Sequence, residues 1–323
     1  MADCAVLPKR EKPIPAPGDA SLPVFSRFLQ LSGGLWYNAK ISRIFMLSLQ
    51  FRDIMVLLKE GLAMQMYEKN TPLLYKIIVW LVWLFSPKYK IVGAEKLPKE
   101  PCVIVGNHSQ MYGPIAGELY TPGKHHVWCA GEMMNRDEVA DYAFQDFWSK
   151  KPKWTHWFWR LMSHLITPLA VLIFNNAHTV AVYHDTRLIS TYRDSIEKLK
   201  AGSSMVIFPE HYDEHNNIVH DFQDKFIDLA RFYYKKTGVE LDFVPLYVAP
   251  ELKTLFYGEP IRFHADRPIA AERRRICSEL MDAITDIAIR QPEHTVVPYP
   301  NIPKSQYPKN IPLEVYTDEQ TAV

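Results

Sequence analysis

The spacing of apolar and polar positions changes several times along this chain. Residues 1–24 are polar and carry Pro8, Pro13, Pro15, Pro17 and Pro23, with no apolar centre. They predict a flexible proline-rich arm and not a signal peptide. Over 25–67, Ile41, Ile44, Phe45 and Leu49 lead into Ile54, Met55, Leu57 and Leu58, with Arg43, Arg52, Asp53, Lys59 and Glu60 among them. That is helical spacing with a wide apolar face, which needs cover from protein or lipid. Leu73–Phe85 is apolar apart from Lys76. It is shorter than the roughly 20 apolar residues that span a bilayer. It suits either a buried helix or a helix lying in the membrane interface. Residues 25–87 together are expected to be an N-terminal helical segment that either packs on protein or contacts membrane.

From 88 to 290 strand and helix patterns alternate. Short apolar runs at 89–92, 102–105, 126–129, 180–183, 205–208 and 261–263 predict strands, as does 241–248, interrupted by Pro245. Helices are predicted at 114–120, with Pro114 in the first position and Gly113 as the cap, and at 188–201, 222–237 and 270–290. Gly202 and Gly238 stand just past two of these helix ends. The pattern predicts an α/β domain, a mixed sheet flanked by helices. Residues 291–323 carry Pro292, Pro298, Pro300, Pro303, Pro308 and Pro312, and read as a tail that wraps the surface or lacks regular structure.

One stretch stands out by composition. Residues 147–159 read Phe-Trp-Ser-Lys-Lys-Pro-Lys-Trp-Thr-His-Trp-Phe-Trp, and a mostly apolar segment follows over 161–174. Tryptophan mixed with lysine suits the headgroup level of a membrane, where rings anchor and cations meet anionic lipid. An aromatic subdomain covering an active site is the other reading.

Charge and cysteines narrow the classes. Among 323 residues, 37 are Lys or Arg and 36 are Asp or Glu, giving a net charge of +1. No concentrated basic surface of the kind nucleic acid requires is implied, and no nucleic-acid partner is expected. Cys4, Cys102, Cys129 and Cys277 are far apart. They predict reduced structural thiols and neither a zinc site nor a disulfide framework.

The candidate chemistry sits at strand ends. His108 follows the 102–105 strand, where open α/β sheets place their ligand crevice, and histidine titrates near working pH. A second strand ends in Phe208-Pro209-Glu210. Together with Val244-Pro245 further on, Asn107-His108 and Phe208-Pro209-Glu210 resemble the motifs of the glycerolipid acyltransferase family, which includes 1-acylglycerol-3-phosphate acyltransferase. That family carries Asn-His, four residues and Asp, then Phe-Pro-Glu-Gly-Thr-Arg, then Val-Pro. The likeness covers roughly 75–265; 183–187 falls where the family has its second motif, and Phe222 and Leu229-Ala230 fall on its usual Phe and Leu-Ala.

The resemblance implies acyl transfer from a thioester, acyl-coenzyme A or acyl carrier protein, to a hydroxyl or amine acceptor. No metal or bound cofactor is implied. His108 would be the base, assisted by Asn107 and Glu210. Pro209, His211, Tyr112, Asp185 and Arg187 would contact substrate. Two positions depart from the pattern. Gly113 replaces the aspartate that would orient the histidine, leaving Tyr112, Glu118, Asp185 and Glu210 as alternative partners. Asp213 replaces the arginine that would meet the acceptor phosphate, inverting the charge there. Three readings follow: an acyltransferase with an altered acceptor, a family-fold protein that binds lipid or a partner without catalysis, and a metal-dependent hydrolase built on Glu210, His211, Asp213, Glu214, His215, His220 and Asp221. The expected setting is the cytoplasmic side of a membrane, peripheral or monotopic, with the lipid surface as partner and acyl carrier protein as a second.

Overall fold

The computed structural model describes residues 72–311; the arm over 1–24 and the helical reading of 25–67 lie outside the described residues. The first element is α1 (Leu73–Phe85), followed by β1 (Lys90–Val92), β2 (Val103–Gly106), α2 (Tyr112–Tyr120) and β3 (His125–Ala130). Next come the short α3 (Val139–Ala143), a π-helical turn at Phe144–Trp148, the long α4 (His156–Asn176), β4 (Thr179–Val182), α5 (Leu188–Lys200) and β5 (Ser204–Ile207). A hairpin of β6 (Glu210–Glu214) and β7 (His220–Phe222) leads to α6 (Asp228–Thr237). The chain continues through β8 (Asp242–Ala249), β9 (Thr254–Tyr257), β10 (Ile261–Arg262) and α7 (Ile269–Ile289).

The main sheet is mixed, ordered β1-β9-β8-β2-β5-β3-β4, with β10 beside β8. β8, β2, β5, β3 and β4 are mutually parallel, while β9 and β10 each run antiparallel to β8. The β-branched run of β2 is buried on both faces, as a central parallel strand requires. Val103 and Val105 pack with Leu229 of α6 and Ile276 of α7; Ile104, pointing the other way, packs with Ala116 of α2.

Three expectations are corrected here. Pro245 does not interrupt β8. It sits where the strand's outer neighbour changes, with Phe243 paired to Ile261 of β10 and Leu246 paired to Tyr257 of β9. The helix expected from 222 starts later, because Phe222 pairs with Glu210 in the hairpin and a 3-10 turn at Asp224–Ile227 intervenes. Gly113 lies inside α2 and does not cap it.

Two helices turn apolar surface outward. α1 buries Tyr75 and leaves Leu73, Leu74 and Phe85 exposed. α4 buries Ser163, Thr167 and Ala170, while Trp157, Leu161, Leu165 and Leu169 are exposed. This inverts the soluble pattern, in which the apolar stripe faces the protein. The lone-pair and hydroxyl needs of the buried stripe are met inside the helix: Thr167 Oγ1 donates to the Ser163 carbonyl at 2.9 Å and Ser163 Oγ to that of Arg160 at 2.8 Å. The apolar run containing α4, Lys153–Asn176, is 24 residues long. At 1.5 Å per residue it reaches about 36 Å, enough to cross a hydrocarbon core.

After α7 the proline-rich chain folds back as a strap over 291–311. Thr295 and Lys309 form an antiparallel bridge at its base. Buried Asn310 donates through Nδ2 to the Ala288 carbonyl at 2.8 Å and accepts the His294 amide through Oδ1 at 2.8 Å.

Candidate active site

The carboxyl ends of β2, β5, β3 and β4 lie along one edge of the sheet. Chain segments leaving them supply His108, Glu210, Gly131 and Tyr183. This is the edge at which open α/β sheets bind ligands.

The loop from β2 to α2 is wound tightly. Ser109 and Gln110 both adopt left-handed backbone, with φ of 46° and 54°. Neither is glycine, so each such position costs on the order of 1–2 kcal/mol and persists only where surroundings enforce it. Asn107 supplies part of that restraint. Its Oδ1 accepts the Val248 amide at 2.7 Å, and its Nδ2 donates to the Val248 carbonyl at 3.1 Å and to Ser109 Oγ at 2.7 Å. The Asn107 side chain is fully used in tying the loop to β8, which makes it a positioning residue.

The winding brings the Gln110 carbonyl to 2.5 Å from His108 Nδ1. A carbonyl only accepts, so Nδ1 carries the proton and Nε2 carries the lone pair. Burial pushes the His108 pKa below its ordinary value, and the Gln110 carbonyl works weakly against that. The ring is therefore neutral at working pH. Phe208 meets it edge-on at 5.8 Å between centroids, and Tyr299 of the strap meets it at 5.4 Å.

Glu210 lies beneath this loop and is 3% exposed. Its Oε2 accepts the His108 backbone amide, and its Oε1 accepts the His220 amide at 2.8 Å. Burial raises its pKa to about 7, against the lowering effect of those two amides. Both oxygens are committed, so Glu210 joins the β6-β7 hairpin to the His108 loop.

Gly113 marks a close approach. A Cβ there would lie 2.4 Å from the His108 carbonyl oxygen and 2.9 Å from that of Asn107. The Gly113 amide donates to the same His108 carbonyl at 3.0 Å. The backbone of the turn thus occupies the room a side chain would need, and an aspartate cannot enter without moving His108. One turn on, Gly117 makes space for the Phe208 ring, which would come within 3.1 Å of a Cβ.

The other candidate residues fall into separate clusters. Arg187 donates to both oxygens of Asp185 (3.1 and 2.9 Å) and both oxygens of Glu138 (2.9 and 3.1 Å) and lies over the Tyr183 ring. Asp185 is held below the ordinary carboxylate range by its hydrogen bonds from Arg187. Glu118 accepts from His178, through the backbone amide at 3.1 Å and through Nδ1 at 3.2 Å. Tyr112 lines a cavity of about 320 Å³ between α1 and α2, with Val82, Phe85, Tyr89, Met111 and Ile115. Pro209 accepts the Gln223 amide at 3.0 Å. None of Tyr112, Glu118, Asp185 and Glu210 takes the Nδ1 proton; Gln110 does.

His211 lies on β6 and faces Asp213 at 3.3 Å and Asp221 at 3.6 Å. His215 faces Asp282 at 3.7 Å. Of the seven residues of the hydrolase reading, His211, Asp213 and Asp221 stand together, while His215 turns to Asp282 and Glu210 accepts the His108 and His220 amides. Among the described residues, Glu240, His264 and Asp266 bring potential metal-ligand atoms within 4.8 Å of one another, away from this edge of the sheet.

Three residues escape the sequence reading, and a fourth enters it only as a metal-ligand candidate. Gln110 matters through its carbonyl, which no side-chain motif encodes. Tyr299 and Tyr307 reach the site from a tail with no strand or helix periodicity. His220 belongs in sequence only to the hydrolase set. It is 6% exposed, packs 6.0 Å from Tyr299, and its Nδ1 has no hydrogen-bond partner among the described residues. A histidine ten residues past a motif glutamate was the one available signal.

No family model matches the chain, and no curated protein matches it. Among solved structures, the chain is similar to the crystal structure of the 1-acyl-sn-glycerophosphate (LPA) acyltransferase PlsC from Thermotoga maritima, at 18% identity and a TM-score of 0.38. The likeness covers 77% of this chain and 98% of that one. At these values it adds nothing to the roles of side chains.

Proposed function

We propose that this protein is an acyltransferase that moves an acyl chain from a thioester to a neutral hydroxyl or an amine at a membrane surface. The carrying observation is His108, with Nδ1 held by the Gln110 carbonyl, at the carboxyl end of a central parallel strand. A neutral ring with a fixed tautomer leaves Nε2 free to take a proton. In the reaction, Nε2 removes the acceptor proton as the acceptor oxygen or nitrogen attacks the thioester carbonyl carbon. The tetrahedral adduct collapses, the carbon–sulfur bond breaks, and the thiolate leaves with the proton from His108. No redox step and no added cofactor enter this balance.

The chemistry around the base favours an acceptor without phosphate. Arg187 is neutralised by Asp185 and Glu138, with Glu132 at 3.9 Å. Asp213 and Asp221 flank His211 on the hairpin beside the site. A phosphate monoester would meet carboxylates and an arginine already occupied. The cavity beside Tyr112 is apolar and suits a fatty chain. The outward apolar faces of α1 and α4, with exposed Trp154 and Trp157 and lysines between the rings, favour lipid contact. Either acyl-coenzyme A or acyl carrier protein fits as donor.

The test is release of free thiol from acyl-thioesters by the full chain in lipid vesicles. Uncharged glycerolipid acceptors should support turnover, and the corresponding phosphate monoesters should support at least tenfold less. Equal turnover with both would overturn the acceptor assignment; thiol release from neither would overturn the reaction.

A further inference from the structure

Gln110 works in two directions. Its backbone carbonyl holds His108 Nδ1. Its side-chain Nε2 donates to the strap, to Tyr307 Oη at 2.9 Å and to the Pro300 carbonyl at 3.3 Å. The strap therefore grips the same residue whose carbonyl fixes the tautomer of the histidine. It also touches the ring directly through Tyr299.

The loop needs such a grip. Two consecutive non-glycine residues in left-handed backbone are unstable unless held from outside. Asn107 and Ser109 are held by Val248 of β8. Gln110, the residue that touches the ring nitrogen, is beyond that reach. Its side chain finds its partners in the strap alone among the described residues.

The strap is built to bear this. Its base is fastened by Asn310 and by His294, whose Nδ1 meets the Pro292 carbonyl at 2.7 Å and whose Nε2 meets the Tyr247 hydroxyl at 2.7 Å. Thr295 donates its amide to Glu251, just past the end of β8. Asn217 donates to the Lys309 and Ile311 carbonyls, both at 2.7 Å. The strap is thus anchored to α7, to β8 and to the turn of the β6-β7 hairpin, and its tip, 299–307, lies on the His108 loop.

We propose that the C-terminal strap orients the base: Tyr307, acting through Gln110, and Tyr299, acting by contact with the ring, are positioning residues for His108. They fill the role that a carboxylate at position 113 cannot fill, because the backbone there is too close to His108. This rests on the acyl-transfer reading for its catalytic consequence, but not for its structural one. The carbonyl is a neutral acceptor. It fixes the ring's direction and tautomer as well as a carboxylate does, and stabilises the imidazolium less.

The experiment uses the full chain with Tyr307→Phe, Gln110→Ala and the double variant, and records two quantities. The first is the tautomer of His108, read from the ¹⁵N shifts of its ring after histidine labelling, with His108→Gln to assign the signals. The second is thiol release, with kcat and KM separated. The native protein should show the Nδ1–H form. Tyr307→Phe, which leaves the Gln110–Pro300 hydrogen bond, should give a mixture, and Gln110→Ala should match the double variant, because it already removes the whole side-chain link to the strap. kcat should fall by ten- to a hundredfold with thioester KM unchanged, the scale of a misplaced catalytic group. An unchanged Nδ1–H tautomer in Gln110→Ala overturns the proposal, whatever the rate does. A shifted tautomer in a protein that releases no thiol supports the strap's role and refutes the acyl-transfer reading instead. Melting curves of Tyr307→Phe, which keeps the ring, should match the native protein to within a few degrees; a collapse of the fold in this variant would make the strap a general stabiliser and overturn the specific role.

Discussion

Replacing Glu210 by glutamine tests how the two halves of the site are joined. The native carboxylate accepts two backbone amides, those of His108 and His220, one on each oxygen. Glutamine has one acceptor oxygen and one amino group. One of the two amides must lose its partner and face a donor. A buried unsatisfied amide costs about 1–3 kcal/mol. Glu210→Gln should therefore lower stability by about that amount where Glu210 is protonated. A second effect works against this at higher pH. Burial lifts the folded Glu210 pKa from 4.5 to about 7. At about 1.4 kcal/mol per tenfold change in proton affinity, that is on the order of 3 kcal/mol. The folded protein holds the proton across pH 4.5 to 7 while the unfolded chain has released it. This contribution is full below pH 4.5 and is lost as the pH rises through 7. Glutamine does not titrate, so the variant lacks that loss. Urea unfolding of both proteins at pH 5 and pH 8 reads the outcome. Glu210→Gln should be less stable at pH 5, and between pH 5 and pH 8 the difference should move in the variant's favour by on the order of 3 kcal/mol, enough to close or reverse the deficit. Other titrating groups cancel in the difference. A deficit equal at both pH values would refute the buried, proton-binding Glu210 described above.

Other consequences follow from the same geometry. Gly113→Ala places a Cβ 2.4 Å from the His108 carbonyl, so the loop must shift; turnover should fall by about a hundredfold, the cost of misplacing a base, with loss of about 1–3 kcal/mol by urea unfolding. Native-like turnover in that variant would show that the close approach is not needed. Replacing exposed Trp154 and Trp157 by serine should release the protein from anionic liposomes in sedimentation, while its urea midpoint stays unchanged. Retention on the vesicles would remove α4 from the membrane contact.

Much of the framework was readable because apolar periodicity carries it. The β-branched run of β2 and its following histidine, and β5 with Phe208-Pro209-Glu210, fall within a residue or two of their predicted limits. The amphipathic α5 and α7 do as well. The hairpin β6-β7 is not legible because Glu210–Glu214 is polar; its strand state comes from pairing with Phe222 and His220. α4 spans two stretches that differ in composition, an aromatic and basic one and an apolar one, and holds Pro168, so its continuity is not legible in sequence. The orienting partner of His108 is a main-chain carbonyl, which no side-chain pattern encodes. The strap was unreadable for a similar reason. Its prolines break helix and strand patterns, and its order comes from Asn310 donating to the Ala288 carbonyl, His294 meeting the Tyr247 hydroxyl, and Asn217 donating to the Lys309 and Ile311 carbonyls. Gly113 looked like a lost aspartate in the sequence, whereas its close approach to His108 makes it a requirement of this loop.

The central claim is that His108 Nε2 is the base of a thioester-consuming transfer. The direct measurement is thiol release by the full chain and by His108→Gln, in vesicles containing an uncharged glycerolipid acceptor and an acyl-thioester. The native protein should turn over, and His108→Gln should lose at least about a hundredfold in kcat with an unchanged melting curve, the scale of general-base catalysis. Equal turnover in the two proteins would contradict it.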